Sequence, residues 1–374
     1  MAVYMFVCMP ILLTALFSYK RKVTPELLLF LLLPLFLLSA MRYDIGRDYD
    51  SYMIIFNHPE LMQVHEKGYM LINNFAIQHD LTLQFVIILY ALLTLIFAYL
   101  FIFENSKNKI LSLLIFYAYT PFYLQTLNTL RQGLAIYIFM YATRFIRKKQ
   151  FVKYCILIVS AAFFAHNSVV VTIPLYFLLN RNYKPVMKLI MIGTSVIVSG
   201  LLEIVVKATP YAVYLLGGDG EGSFAPIFLL DVSLCGAIVC LYKNKSKCIF
   251  YNLTLLSLCI LCMGIVLKSS PIFTVVSRIN EFFLPSLLIT IPSFVQNSRK
   301  YRQIFYYFCL FCFLGVFYFS ITLNGVMNQL VPYKTFFGVF HNDLFIDDIL
   351  IFWGSAFFVG ILQSYNNLKR RDYV

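Results

Sequence analysis

The sequence predicts an all-α, multi-pass membrane protein. Hydrophobic residues make up 61% of its 374 residues and charged residues only 13%, whereas a soluble protein carries roughly a quarter charged residues. The apolar residues come in blocks of about 15–23, the length of transmembrane helices, and short polar clusters separate the blocks. No linker or low-complexity stretch interrupts this pattern, so residues 1–374 are predicted to form a single integral membrane domain.

The distribution of positive charge predicts how these helices cross the membrane. The formal net charge is +13, but most Lys and Arg residues lie in short clusters between apolar blocks, as the positive-inside rule expects of cytoplasmic loops. The excess of basic residues is therefore explained by membrane topology, and no nucleic-acid partner is expected. With the N-terminus outside, the predicted crossings fall near 3–19, 25–41, 81–103, 110–126, 132–146, 186–206, 225–242, 248–267, 279–295, 303–323 and 348–363.

The segment 151–180 fits this topology only as a hairpin. A single crossing there would put every later basic cluster outside, whereas a hairpin with its apex at "HNS", 166–168, keeps them all inside. Its arms of about 15 and 12 residues are shorter than the roughly 20 that span a bilayer, so we expect the apex in a protein-lined cavity. The total is about 12–14 transmembrane or re-entrant helices, with large outer loops at 42–80 and 324–347.

Arg131 and Arg278 lie on the predicted outer side. Arg131 opens an apolar run, and Thr129 and Gln132 around it have capping-box spacing. Arg278 follows "TVVS" and opens another run, so both arginines are expected in first helical turns. The helix dipole disfavours a cation there unless an anion such as a phosphate is bound.

Two structural alternatives for these arginines remain open. Arg278 and Glu281 have the i, i+3 spacing of an ion pair on one helix face. Arg131 alternatively extends to the membrane interface without binding anything.

The first outer loop opens with "MRYDIGRDYDSY", 41–52. Arg42 ends a predicted span and Arg47 follows five residues later, with Gly46 between them to permit a tight turn. Asp48 is a candidate base whose pKa the nearby arginines are expected to lower. Local pairing of arginines with aspartates is the alternative. The two carboxylates of "DYD" are too few to indicate a metal site, and none is expected.

His166, at the hairpin apex, is a candidate general base or a donor to a phosphate. A lone histidine in an apolar segment is equally compatible with a buried packing role. The cysteine pairs in "CILC" (259–262) and "CLFC" (309–312) lie inside apolar spans and indicate helix packing. No nucleotide-binding or nucleophile-elbow motif occurs, and no cofactor is expected.

These features, in this order, resemble the EpsG-like branch of the Wzy polysaccharide polymerases. The matching pieces are "RYDIGRDYDSYMIIF", "HEKGYMLINNFA", "LRQGLAIYIFMYATRFI", "AAFFAHNSVVVTIPLYFLL", "SRINEFFLP" and "VPYK". At one position the family pattern has a small polar residue where this chain has Arg47, so the resemblance supports Arg42 more strongly than Arg47.

The resemblance implies a polymerase of undecaprenyl-diphosphate-linked oligosaccharide repeat units at the outer face of the bacterial inner membrane. The product would be O-antigen, capsule or exopolysaccharide, and no metal or cofactor is implied. Membrane lipids, a flippase and a chain-length regulator are the expected partners. Together with the arguments from the individual residues, the resemblance predicts His166 and Asp48 as catalytic residues. The predicted substrate-binding residues are Arg42, Arg47, Arg131, Gln132, Arg278 and Glu281.

Three other functions are compatible with many membrane spans and internal cations. A flippase for lipid-linked oligosaccharides would need cations on both sides of its cavity, whereas these arginines cluster outside. An O-antigen ligase would have one much larger basic outer loop. A membrane O-acyltransferase would not need several outer arginines.

Overall fold

The computed structural model describes residues 2–17, 23–61, 66–207, 226–241, 249–268, 270, 272–298, 301–325 and 329–335. No β-strand occurs in this part of the chain, and the one extended pairing within it is an isolated antiparallel bridge between Arg42 and Thr335. The predicted all-α class is confirmed. The helices are α1 (Ala2–Phe17), α2 (Pro25–Ala40), α3 (Tyr49–Asn57), α4 (Lys67–Gln78), α5 (Leu83–Asn105), α6 (Lys109–Ala118), α7 (Tyr123–Asn128), α8 (Leu130–Arg147), α9 (Phe151–Phe164), α10 (Leu175–Leu178), α11 (Pro185–Lys207), α12 (Pro226–Leu241), α13 (Ile249–Val266), α14 (Ile272–Asn280), α15 (Leu287–Asn297) and α16 (Arg302–Asn324).

Helices of the described residues coincide with most of the eleven predicted crossings, although only five segments qualify as spans by length and composition. Five segments are long and apolar enough to cross a bilayer, and shorter apolar helices accompany them, so the chain is a multi-pass membrane protein. The five are Leu83–Asn105, Pro185–Leu202, Ile249–Val266, Ile272–Asn297 and Arg302–Thr322. The predicted crossing near 348–363 and most of the predicted outer loop 324–347 lie outside the described residues.

The hairpin at 151–180 is confirmed. Helix α9 stops at Phe164, and after the apex the chain returns through a 3₁₀ helix, Asn167–Thr172, and α10. The arms run antiparallel: the Tyr154 hydroxyl donates to the Thr172 carbonyl at 2.6 Å, and the Phe151 and Tyr176 rings pack with centroids 4.9 Å apart.

Two predicted crossings are interrupted. The run near 110–126 ends as α6 at Ala118 and resumes as α7, with Pro121 in the turn between them. Proline has no N–H and disfavours helical geometry at the preceding residue, which favours this break. The run near 279–295 does not begin at Arg278: α14 ends at Asn280, and a short 3₁₀ helix containing Pro285 precedes α15.

The core is centred on α6, where every residue from Ile110 to Ala118 is buried. Helix α8 is also mostly buried, and its last turn carries Arg144 and Arg147, which the positive-inside rule places in the cytoplasm. Its first turn, with Arg131, therefore lies at the predicted outer end.

The first outer loop folds back over this end. The amide of Tyr43 donates to the Lys334 carbonyl at 3.0 Å, and the amide of Gly46 donates to the Gln329 carbonyl at 3.1 Å. Gly46 has a φ of +95°, and a Cβ there would overlap the Leu127 carbonyl. Glycine is thus required for this turn, which brings the loop onto the end of α7.

Candidate active site

Four parts of the chain meet at the outer end of the molecule: the first outer loop, the first turn of α8, the apex of the hairpin and the end of α14. Together they bring most of the polar residues predicted from sequence into two neighbouring clusters. Each cluster contains one arginine, and the two arginines have different partners.

The first group, named here the Glu66 cluster, consists of Glu66, Arg131, His166 and Asn167. Glu66 stands just before α4 and is only 5% exposed. Its Oε2 lies 2.8 Å from Arg131 Nη1, and its Oε1 lies 3.3 Å from His166 Nδ1. The Asn167 amide also donates to Oε1, at 3.1 Å. One carboxylate thus joins α8 to the hairpin apex.

The electrostatics of Glu66 follow from these partners. Burial alone would raise the pKa of its carboxyl. The contact with the His166 ring, the Arg131 charge and the Asn167 amide outweigh burial and lower the pKa of Glu66 to about 2. The side chain is therefore an anion at neutral pH, and an ionised carboxylate only accepts hydrogen bonds.

Two tyrosine rings flank the guanidinium of Arg131. Its central carbon lies 4.9 Å from the centroid of Tyr69 and 5.8 Å from that of Tyr52. Cation–π contacts of this kind favour a partly buried guanidinium. Together with the ion pair to Glu66, they hold Arg131 in one position.

The second group, named here the Gln132 cluster, consists of Gln132, Arg278, Glu281 and Gln125. Arg278 Nη1 donates to Gln132 Oε1 at 3.2 Å. Gln132 Nε2 donates in turn to the Arg278 carbonyl at 3.1 Å and to Glu281 Oε2 at 2.9 Å. Gln125 Nε2 donates to Glu281 Oε1 at 3.4 Å. The buried amide of Gln132 therefore ties α8 to the end of α14.

The predicted alternative of an Arg278–Glu281 ion pair does not describe this geometry. No ion pair joins the two side chains within the described residues, and both bind Gln132 instead. Within the described residues the side chain of Arg278 donates to a neutral amide, whereas that of Arg131 is paired with a carboxylate.

The helix-end predictions for the two arginines have different outcomes. Arg131 does lie in the first turn of α8, as predicted. The capping box is wrong: the Thr129 hydroxyl donates back to the Gln125 carbonyl at 3.2 Å, and Gln132 is used by its own cluster. Arg278 lies in the last turn of α14, where the helix dipole favours a cation, so its predicted position in a first turn is also wrong.

Asp48 lies between the clusters, half-buried at the start of α3. Burial raises the pKa of its carboxyl, and the charges of Arg278, Arg131, Arg42 and Arg47 oppose that rise without reversing it. The arginines therefore act in the expected direction, but desolvation is the larger effect, so the net pKa of Asp48 is raised and not lowered. The same interactions place Asp48 within reach of all four arginines.

Arg42 and Arg47 occupy opposite environments. Arg42 is fully buried, its Nη1 donates to the Leu127 carbonyl, and its Nε has no hydrogen-bond partner. It has no exposed surface with which to touch a substrate in this structure, and its charge acts on the site through Asp48. Arg47 is exposed, and its amide donates to Asn128 Oδ1 at 3.1 Å.

The Asp44 carboxylate binds Lys334.

Sequence reasoning did not identify Glu66 as a site residue, although "HEKGY" contains it. Its partner Arg131 is 65 positions away, so no helical spacing points to the pair. One signal was present: cations on the predicted outer side need acidic partners wherever they are buried.

Comparison with known proteins gives one match. The sequence model of the EpsG family matches residues 26–335 of the chain. No curated protein and no solved structure matches it.

Proposed function

The chain belongs to the EpsG family, and from that membership and the site geometry we propose that it is a polysaccharide polymerase acting on lipid-linked repeat units. In this proposal, oligosaccharide repeat units carried on undecaprenyl diphosphate are joined at the outer face of the bacterial inner membrane. The observation that carries the proposal is the convergence of Arg131, Arg278 and His166 at one end of the membrane domain.

The reaction is a glycosyl transfer. A hydroxyl oxygen of the acceptor's terminal sugar attacks the anomeric carbon of the donor chain. The bond from that carbon to the lipid diphosphate breaks, and the diphosphate leaves with the electron pair. The hydroxyl proton passes to a base. The protein must therefore neutralise the leaving group and accept one proton.

Arg278 is the main ligand for the diphosphate in this proposal. Guanidinium groups bind phosphate oxygens through paired hydrogen bonds, and Arg278 faces the site with a neutral amide as its side-chain partner. Arg131 is the second ligand, although Glu66 offsets much of its charge. Gln132 and Glu281 serve the donor site by holding Arg278 in place.

His166 is the proposed base. Its side chain is 27% exposed, so an acceptor hydroxyl has access to the ring. Asp48, close to four arginines, is assigned to the sugar site, where a carboxylate orients hydroxyl groups. Arg42, buried in the core, acts on Asp48 through its charge, and the exposed Arg47 adds positive charge at the surface of the site.

The remaining parts of the proposal follow from the resemblance. The product is O-antigen, capsule or exopolysaccharide. A flippase supplies repeat units to the outer face, and a chain-length regulator sets the extent of polymerisation.

Purified protein in liposomes, supplied with labelled undecaprenyl-diphosphate-linked repeat units and nothing else, tests the proposal. A ladder of products that differ by one repeat unit is expected. A flippase would move the label across the bilayer without a ladder, and a ligase would form product only after a separate acceptor is added. Either result contradicts the proposal.

A further inference from the structure

Glu66 is a buried carboxylate that takes no direct part in the reaction above, yet it contacts the proposed base. We propose that Glu66 is a positioning residue that keeps the proton of the neutral His166 ring on Nδ1, so that Nε2 is left as the basic atom. The effect of Glu66 on the reaction rests on the proposed function, whereas its effect on the position of the His166 proton does not.

The proton position follows from the chemistry of the contact. Glu66 has its pKa lowered to about 2, so it carries no proton at neutral pH. The 3.3 Å contact between Glu66 Oε1 and His166 Nδ1 is then favourable only if Nδ1 carries the hydrogen. In the other tautomer two lone pairs would face each other. The Ser168 amide donates towards Nδ1 at 3.4 Å and by itself would favour the other tautomer, but this contact to a neutral donor is longer than the 3.3 Å contact with the carboxylate; the Ser168 hydroxyl, also at 3.4 Å, can accept from Nδ1–H.

The carboxylate cannot easily turn away from the ring. Arg131 binds Oε2 at 2.8 Å, and the Asn167 amide binds Oε1 at 3.1 Å. These donors come from α8 and from the hairpin apex, so Glu66 is held on both sides. Within the part of the chain that the structure describes, Nε2 of His166 has no hydrogen-bond partner, which leaves it for the acceptor hydroxyl.

Among the described residues, the charged group that faces the His166 ring is Glu66, and Arg131 on α8 reaches the ring through Glu66. Lys67, at the start of α4, is exposed, and the basic residue of α9, Lys153, lies at the far end of that helix from the apex. Glu66 is therefore the group whose removal should change the tautomer of His166.

The closing experiment reads the tautomer directly. The protein carries five histidines, so ¹⁵N-labelled histidine gives a simple spectrum, and a His166→Gln variant identifies the His166 signals. Above the titration of the ring, the wild-type protein should show the Nδ1–H form. A wild-type ring in the Nε2–H form would overturn the proposal, whether or not the protein makes polymer.

Kinetics supply the second readout. Glu66→Gln should lose the tautomer preference and lower kcat by about 100-fold. Glu66→Asp, which keeps the charge, should restore part of the rate. Glu60→Gln is the matched control, since the Glu60 side chain is 66% exposed in the same loop.

The outcomes separate the two proposals. A Glu66→Gln protein with an unchanged rate and an unchanged Nδ1–H signal from His166 would overturn the positioning role. A wild-type protein with the Nδ1–H form but no polymerising activity would refute the proposed reaction and leave the arrangement of Glu66 and His166 standing.

Discussion

The Glu66 cluster and the Gln132 cluster lie side by side, and each holds an arginine with the side chain of a neighbouring residue. In the Glu66 cluster the partner of Arg131 is a carboxylate with a pKa lowered to about 2. In the Gln132 cluster the partner of Arg278 is an amide. Two arginines that look equivalent in the sequence are therefore suited to different work. In the proposed reaction Arg131 holds Glu66 beside the base, and Arg278, whose side-chain partner is a neutral amide, binds the anionic substrate.

The largest effect is expected from the Glu66 cluster, at the base itself. His166→Ala should lower the polymerisation rate by about 10²–10⁴-fold, the usual loss for a general base, with normal protein abundance in the membrane. His79→Ala, an exposed histidine at the end of α4, is the control. The rate of ladder formation in liposomes measures the effect. A near-normal rate for His166→Ala would reduce His166 to a packing residue.

The next effect is the change in the free energy of unfolding with pH, which should distinguish the Glu66 cluster from the Gln132 cluster. The pKa of Glu66 lies below its ordinary value of 4.5, so its stabilising contribution is complete above about pH 4.5 and is lost as pH falls towards 2. The expected loss is on the order of 2–3 kcal/mol.

Thermal unfolding in detergent from pH 7 to pH 3 measures this loss. In Glu66→Gln the unfolding temperature should fall less between pH 7 and pH 3 than it does in the wild type. In Glu60→Gln it should fall as it does in the wild type. Identical curves for wild type and Glu66→Gln would show that the Arg131–Glu66 pair does not contribute to stability.

A glycine-to-alanine substitution in α4 should disturb the Glu66 cluster and leave the Gln132 cluster unchanged. A Cβ on Gly68 would lie 2.6 Å from ring carbons of both Phe163 and Phe164, so in Gly68→Ala either these rings or α4 itself must shift. We expect a loss of about 1–3 kcal/mol, as for other overpacked sites, together with reduced kcat.

Gly193→Ala is the matched control for this change, because a Cβ there meets nothing within 4 Å and alanine has the better helix propensity. Chemical denaturation of the two variants measures the difference. If Gly68→Ala is as stable and as active as Gly193→Ala, close packing of α4 on α9 is not needed for the position of Glu66.

Parts of this comparison were accessible from the sequence and others were not. The hairpin followed from charge and length, because only one path keeps the basic clusters on one side. Arg131 at a helix start followed from the polar residues before an apolar run.

The misplaced elements have physical reasons. Arg278 was assigned to the wrong helix end because hydropathy alone does not register the break after Asn280. Glu66 was missed because long-range ion pairs leave no spacing pattern, and the full burial of Arg42 depends on a loop that returns from residues 329–335.

The smallest effect is expected at Glu281. Because Glu281 accepts hydrogen bonds from two amides and has no ion pair with Arg278 among the described residues, Glu281→Gln should cost about 1 kcal/mol or less. Membrane abundance and the unfolding temperature measure this. A collapse of abundance would mean that Arg278 and Glu281 form a structural charge pair after all.

Binding of undecaprenyl diphosphate tests the division of work between the two arginines most directly. Its dissociation constant is measured by titration calorimetry in detergent for wild type, Arg278→Gln, and the double variant Glu66→Gln/Arg131→Gln, which leaves the net charge of the site unchanged. Arg278→Gln should weaken binding about tenfold or more, a loss of about 1.4 kcal/mol, whereas the double variant should change it less than about threefold. Equal losses, or a larger loss in the double variant, would contradict the assignment of the diphosphate to Arg278.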